Sequence, residues 1–142
     1  MTRFSNKFIQ AGLIASGISA FLLGAPIAMS AQPEIPAGAG ISSWVDNGSG
    51  GKYTLQILEG TLPEAGTSVT AKVLSDSNCA PDEEGINHCE NVIRMPDGSK
   101  LKGIDNHRMS VNRCLLAGEK VTISRLTDGW ATVLTKDAKK SK

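Results

Sequence analysis

Two short turn signals divide the second half of the chain into pieces of strand length. Pro96-Asp97-Gly98 and Thr127-Asp128-Gly129 each combine residue types that favour tight turns. Apolar and β-branched residues flank both signals, as they do in the arms of a β-hairpin. The pattern therefore predicts hairpins at both positions and a mostly β fold.

Alternation of apolar and polar residues indicates where the strands lie. It begins near Ser68, and further strand-like segments cover 91–95, 101–105, 120–125 and 130–135. The polar segment 76–87 is predicted as a loop, and 106–116 as irregular chain or a short helix. Five short strands with a break after the third predict a small five-stranded OB-like barrel over 68–135. An SH3-like barrel is the alternative. The predicted core residues are Val73, Ile93, Val121, Ile123 and Val133.

A weakly specific motif in the second half of the barrel segment resembles a known family. Its residues are Arg108, Met109, Asn112, Leu116, Gly118, Glu119 and Val121. Over about 69–134 the chain is similar to small OB barrels of the bacterial translation initiation factor one type. The resemblance implies the fold. That family binds RNA largely through basic residues, and of those only Arg108 has a counterpart here, so the resemblance does not imply the function.

The first 30 residues have the layout of a secretory signal peptide. Arg3 and Lys7 precede a mainly apolar run over 8–23, and small residues follow up to a cleavage site near Ala28-Met29-Ser30. A retained membrane anchor is the alternative, although the run is short for a span. We expect an exported protein, periplasmic or secreted, with no stable membrane span after cleavage. Residues 31–67 are predicted as a flexible leader with a possible short strand at 53–58, and 136–142 as a charged tail.

The charge balance argues against nucleic acid as a partner. The chain has 15 Lys and Arg and 14 Asp and Glu. Loss of Arg3 and Lys7 with the signal leaves 13 basic residues against 14 acidic ones, a net charge of about −1. A nearly neutral protein has no broad positive field to attract a polyanion.

The segment 87–114 concentrates side chains that bind soft metal ions. Thiolates and thioethers are soft ligands, and imidazole is borderline. This set favours Cu(I), with Zn(II) second if only cysteine and histidine take part. The sequence predicts a candidate metal site formed by His88, Cys89, His107, Met109 and Cys114.

The three cysteines also allow a structural interpretation. An exported protein meets an oxidising compartment, where cysteines tend to pair. Cys79 and Cys89 flank an acidic loop that a disulfide would close, and this pairing leaves Cys114 free. Cys114 could instead pair with either of the other two. In this alternative the protein is a disulfide-stapled module without metal that binds an exported protein or a glycan.

Catalysis has little support in the sequence. Cys114 and a histidine could form a nucleophile pair, but no third residue that would orient them is evident. The predicted protein is therefore a non-enzymatic binding or structural module.

Overall fold

The structure is a computed structural model that describes residues 32–140. The predicted signal peptide, 1–30, lies outside the described residues, as do Ala31 and the last two residues of the charged tail. Six strands are present in the described chain: β1 (Lys52–Glu59), β2 (Ser68–Pro81), β3 (Asn87–Arg94), β4 (Lys100–His107), β5 (Lys120–Thr127) and β6 (Trp130–Leu134). Three short 3-10 helices accompany them, at Trp44–Asp46, Ser49–Gly51 and Lys136–Lys140.

The six strands form one closed antiparallel barrel in the order β1-β4-β3-β2-β5-β6. The predicted barrel had five strands, and the sixth is β1, which lies in the segment predicted as a leader. Strand β1 pairs with both β4 and β6, so it closes the barrel between them. Its partners lie 43 to 82 positions further along the sequence, from Glu59↔Lys102 to Lys52↔Leu134, so local pattern alone does not show that it belongs to the barrel. The mostly β prediction is confirmed. The resemblance to initiation factor one barrels stays a prediction.

Both predicted hairpins are present. At the first, the Met95 N–H donates to the Ser99 carbonyl at 2.8 Å, and Arg94 pairs with Lys100. Gly98 there has a φ of 87°, which favours glycine because it has no Cβ. At the second, Thr127 of β5 pairs with Trp130 of β6.

The polar segment 76–87 is mostly strand, and the loop prediction there was wrong. Strand β2 continues to Pro81 and β3 begins at Asn87, which leaves only a short connection. Asp82 stabilises that connection by accepting the backbone N–H groups of Glu84 and Ile86 at 2.9 and 3.0 Å. Polar residues fit this extension because much of it is only partly covered or is exposed to solvent. The segment 106–116 contains no helix; it continues β4 to His107 and then turns.

The predicted core is confirmed, since all five residues are at most 2% exposed. Further apolar side chains complete the same cluster, and the largest fully buried ones are Tyr53, Leu55, Leu101 and Leu115. Two of these, Tyr53 and Leu55, come from β1, so the sixth strand supplies core as well as closure.

The segment before β1 packs onto the barrel. Trp44 is buried and stacks on Trp130 with ring centroids 5.7 Å apart, and its indole N–H donates to the Pro33 carbonyl at 2.8 Å. Asn47 is also fully buried and bonds to both β1 and β4 through Thr54 and Asp105. These contacts attach the predicted leader to the domain.

Candidate functional site

A disulfide joins Cys79 of β2 to Cys89 of β3, and this confirms the first of the pairings that the sequence allowed. The two Cα atoms are 4.1 Å apart. The register of the two strands shifts between Ser77 and Ala80, so Asn78 and Cys79 together lie opposite Cys89. Asn78 has a φ of 55°, a conformation that asparagine tolerates better than most residues. This bulge turns the Cys79 side chain toward Cys89.

The third cysteine and a carboxylate complete a compact cluster. One carboxylate oxygen of Asp76 and the sulfurs of Cys79, Cys89 and Cys114 all lie within 4.8 Å of one another. Cys89 is fully buried, and the other three residues are partly buried. We call these four residues the sulfur cluster. It lies where β2, β3 and the segment before β5 meet.

Cys114 is held in the cluster by the charged groups around its neighbour Arg113. The Arg113 guanidinium donates to both carboxylate oxygens of Glu119, each at 3.0 Å, and to Asp137 at 3.1 Å. It also donates to the Cys114 carbonyl at 2.8 Å, and the Tyr53 hydroxyl donates to the Arg113 carbonyl. Fork-shaped Arg–carboxylate contacts fix geometry more firmly than single ones. The start of the predicted charged tail therefore helps to position Cys114.

Burial shifts the acid–base equilibria of the cluster. Burial, followed by the charge of Asp105, raises the pKa of Asp76 to about 6, although His107 acts in the opposite direction. Burial also raises the pKa of the Cys114 thiol, with further contributions from Asp76 and Asp105. Without a cation the cluster therefore favours a protonated thiol, because negative charge there is poorly solvated.

A buried acid–base pair lies beside the sulfur cluster inside the barrel. Asp105 and His107 are both fully buried on β4, with Asp105 Oδ2 and His107 Nδ1 3.2 Å apart. The two atoms lack hydrogen-bond geometry, and His107 Nε2 also has no partner among residues 32–140. Burial raises the pKa of Asp105. Burial disfavours protonation of His107, but its interaction with Asp105 outweighs this effect and raises the pKa of the imidazole.

Only two of the five predicted metal ligands, Cys89 and Cys114, belong to the sulfur cluster. His88 precedes Cys89 on a strand, so the two side chains point to opposite faces. Its ring nitrogens contact Asn106 and Asp82, the latter at 3.0 Å. His107 is buried beside Asp105, whereas Met109 is 44% exposed after β4 ends.

Asp76, Asp105 and Asn47 also belong to this region, and none of them was predicted from the sequence. The signal for Asp105 was present, because it alternates with Leu101 and Gly103 along β4 and therefore faces inward. Asp76 was placed in a loop. Its approach to Cys79 depends on the bulge in β2, and residue spacing does not show a bulge.

The residue types in the sulfur cluster determine its possible chemistry. With the disulfide closed, only the Cys114 sulfur and the Asp76 oxygen could bind a cation strongly. Reduction would make three thiols and one carboxylate available within a space that suits a single ion. Three soft sulfur ligands favour Cu(I), and addition of the carboxylate would suit tetrahedral Zn(II).

No helix among residues 32–140 has the length and apolar character needed to cross a membrane. No protein-family model, curated protein or solved structure matches this chain.

Proposed function

We propose that this chain is an exported, non-enzymatic binding protein whose sulfur cluster takes up one soft metal ion after its disulfide is reduced. Cu(I) is the preferred ion and Zn(II) the second. The observation that carries the proposal is the approach of three sulfurs and one carboxylate oxygen to within 4.8 Å of one another. These four groups lie on two strands and on a connecting segment that ion pairs hold in place, so the arrangement does not depend on one flexible loop.

The electrostatics of the cluster support a cation. Asp76 Oδ2 is buried without a hydrogen-bond partner in the described part of the chain, and an unpaired buried carboxylate oxygen is costly. The raised pKa values of Asp76 and Cys114 reflect the same shortage of compensating positive charge. A bound cation would supply that charge and favour the deprotonated ligands.

Export is proposed from the layout of residues 1–30, and the disulfide supports it because such bonds persist in oxidising compartments. Copper binding in such a compartment would then depend on a local reductant that opens Cys79–Cys89. His88, His107 and Met109 stay predicted ligands. Met109 is exposed and lies outside the sulfur cluster. Its substitution therefore distinguishes the wider site predicted from the sequence, which includes Met109, from the sulfur cluster, which does not.

The proposal is tested by titrating Cu(I) without oxygen into reduced wild type, Cys114→Ser and Met109→Ala. We expect one tight site in wild type, the same affinity in Met109→Ala, and at least about tenfold weaker binding in Cys114→Ser, which loses one sulfur ligand. Equal affinity of wild type and Cys114→Ser would contradict the proposal. Weaker binding in Met109→Ala would instead support the wider predicted site.

The same proteins distinguish the two metals. Asp76→Asn removes a hard, charged oxygen ligand but keeps the three sulfurs and the size of the side chain. We expect this change to weaken Zn(II) binding and to leave Cu(I) binding nearly unchanged. Circular dichroism of each variant before the titration checks that the barrel is folded.

A second candidate is the disulfide-stapled module that binds an exported protein or a glycan without metal. The closed Cys79–Cys89 bond favours it, because this bond ties β2 to β3 where the bulge interrupts their pairing. Absence of tight metal binding by the reduced, folded wild type would leave this candidate in place of the first.

A further inference from the structure

We propose that Cys114 exchanges with the Cys79–Cys89 disulfide, so that the barrel alternates between two disulfide isomers. The observation behind the proposal is that the Cys114 sulfur lies within 4.8 Å of both sulfurs of that bond. The exchange requires no metal ion, so it does not depend on the metal-binding function proposed above. It gives Cys114 a chemical role in the oxidised protein, where the other two cysteines are already paired.

The exchange is a displacement in which atoms and electrons balance. The Cys114 thiol, which is mainly protonated in the metal-free protein, first loses its proton to solvent. Its thiolate attacks one sulfur of the disulfide, the old S–S bond breaks as the new one forms, and the displaced sulfur leaves as a thiolate. That thiolate then takes up a proton from solvent, which replaces the proton that Cys114 lost. No external oxidant or reductant is consumed.

Burial decides which sulfur is attacked. Attack on Cys79 would release a thiolate at Cys89, which is fully buried, and a charge there would be poorly solvated. Attack on Cys89 releases Cys79, which is only partly buried on the bulge of β2. The favoured product is therefore a Cys89–Cys114 disulfide with a free thiol at Cys79.

The local backbone is suited to release of Cys79. The bulge at Asn78 and Cys79 interrupts the ladder between β2 and β3, so the side chain of Cys79 is less constrained than one in regular pairing. Cys114 lies outside the strands, on the segment that joins β4 to β5. Small side-chain rotations of Cys79 and Cys114 can replace the bond of Cys89 to Cys79 with a bond to Cys114, while the strands keep their register.

The two isomers fasten different parts of the barrel. Cys79–Cys89 joins β2 to β3, whereas Cys89–Cys114 would join β3 to the segment before β5. The second isomer presents the Cys79 thiol on the outer part of the cluster. That thiol would be the group available for a mixed disulfide with another exported protein.

The test is thiol labelling of folded, oxidised, metal-free wild type in a chelator. The protein is incubated with N-ethylmaleimide, quenched with acid and mapped by non-reducing peptide mass spectrometry. In the absence of exchange only Cys114 can be labelled. Exchange predicts a second product that carries the label on Cys79 and contains a Cys89–Cys114 linkage. Incomplete oxidation is recognised separately, because it leaves Cys89 without any disulfide linkage in the peptide map.

Cys114→Ser is the matched control, since it keeps the original disulfide and removes the attacking sulfur. We expect no label on Cys79 in this variant. Two outcomes would overturn the proposal: wild type labelled on Cys114 alone even at N-ethylmaleimide concentrations low enough to make labelling slow, or equal labelling of Cys79 in wild type and Cys114→Ser. The wild-type measurement uses the native protein, so the result does not depend on how well a variant folds.

Discussion

Cys89 and Asp105 lie opposite each other in the pairing of β3 with β4, and both side chains are fully buried. One is a sulfur of the disulfide and the other belongs to the buried acid–base pair with His107. The barrel interior thus changes from an apolar core to a polar region along these two strands. A small domain has limited apolar surface to bury, so polar groups in its interior need a specific reason to be there.

The carboxyl of Asp76 should make stability depend on pH. Its pKa is raised in the folded protein to about 6 from an ordinary 3.8, so the folded state holds this proton more tightly than the unfolded chain does. The resulting stabilisation is complete below pH 3.8 and is lost as the pH rises through about 6. Asp76→Asn should lack this loss. Between pH 4 and pH 7 the free energy of unfolding of the oxidised, metal-free variant should therefore rise by about 1 kcal/mol relative to that of wild type. This figure is smaller than the pKa difference alone would give, because solvent screens the partly exposed carboxyl.

Urea unfolding of both proteins at several pH values measures this difference. Because the other titratable groups are common to both proteins, their contributions largely cancel in the comparison. If the difference in unfolding free energy between the two proteins stays constant over this pH range, the pKa of Asp76 is not raised by burial.

The disulfide should stabilise the fold measurably. Cys114→Ser offers the cleanest comparison, because only Cys79–Cys89 can form in it. The two cysteines are 10 positions apart. By chain-entropy reasoning, reduction of a loop of this size should lower the free energy of unfolding by about 2–3 kcal/mol. Denaturant unfolding with and without reductant gives the value, and an effect near zero would show that the bond does not constrain the unfolded chain as expected.

Asn47 should be a structural residue although it lies in the predicted leader. Its side-chain amide donates to Asp105 Oδ1 and to the Asn106 carbonyl, and its oxygen accepts the Thr54 N–H at 2.7 Å. Asn47→Ala would leave buried groups on β1 and β4 without partners, at a cost of about 2–4 kcal/mol. Ser49→Ala is a nearby exposed control and should change stability by less than about 0.5 kcal/mol. Similar thermal unfolding of the two variants would contradict this role.

Core truncation tests the barrel itself. Ile123 is fully buried in β5, so Ile123→Ala should destabilise the protein by about 2–5 kcal/mol. Leu116 is 53% exposed, and Leu116→Ala should have little effect. Equal effects of the two changes on the denaturant midpoint would contradict the assignment of Ile123 to the interior.

The sequence was sufficient to predict features that depend on near neighbours. The hairpin at Pro96-Asp97-Gly98 and the burial of Ile93 and Val121 follow from turn chemistry and strand alternation, which act over a few residues. The Cys79–Cys89 pairing was one of the pairings that the sequence allowed, and the short loop between the two cysteines favoured it without excluding Cys114.

Features that depend on distant pairing were missed. Strand β1 completes the barrel only through β4 and β6, and nothing near Tyr53 indicates those partners. The metal site was likewise assigned to residues close together in sequence. His88 and Cys89 are adjacent on a strand, so their side chains point to opposite faces. The bulge in β2 brings Asp76 into the sulfur cluster. Neither effect is visible in residue spacing alone.

In the proposed metal site, the sulfurs of Cys79, Cys89 and Cys114 bind one metal ion together. X-ray absorption at the copper edge of the reduced, Cu(I)-loaded protein tests it most directly, because this method counts the sulfur ligands. We expect sulfur-dominated coordination in wild type with three sulfurs, and one sulfur fewer in Cys114→Ser. A spectrum dominated by nitrogen or oxygen ligands, or one that Cys114→Ser leaves unchanged, would contradict it.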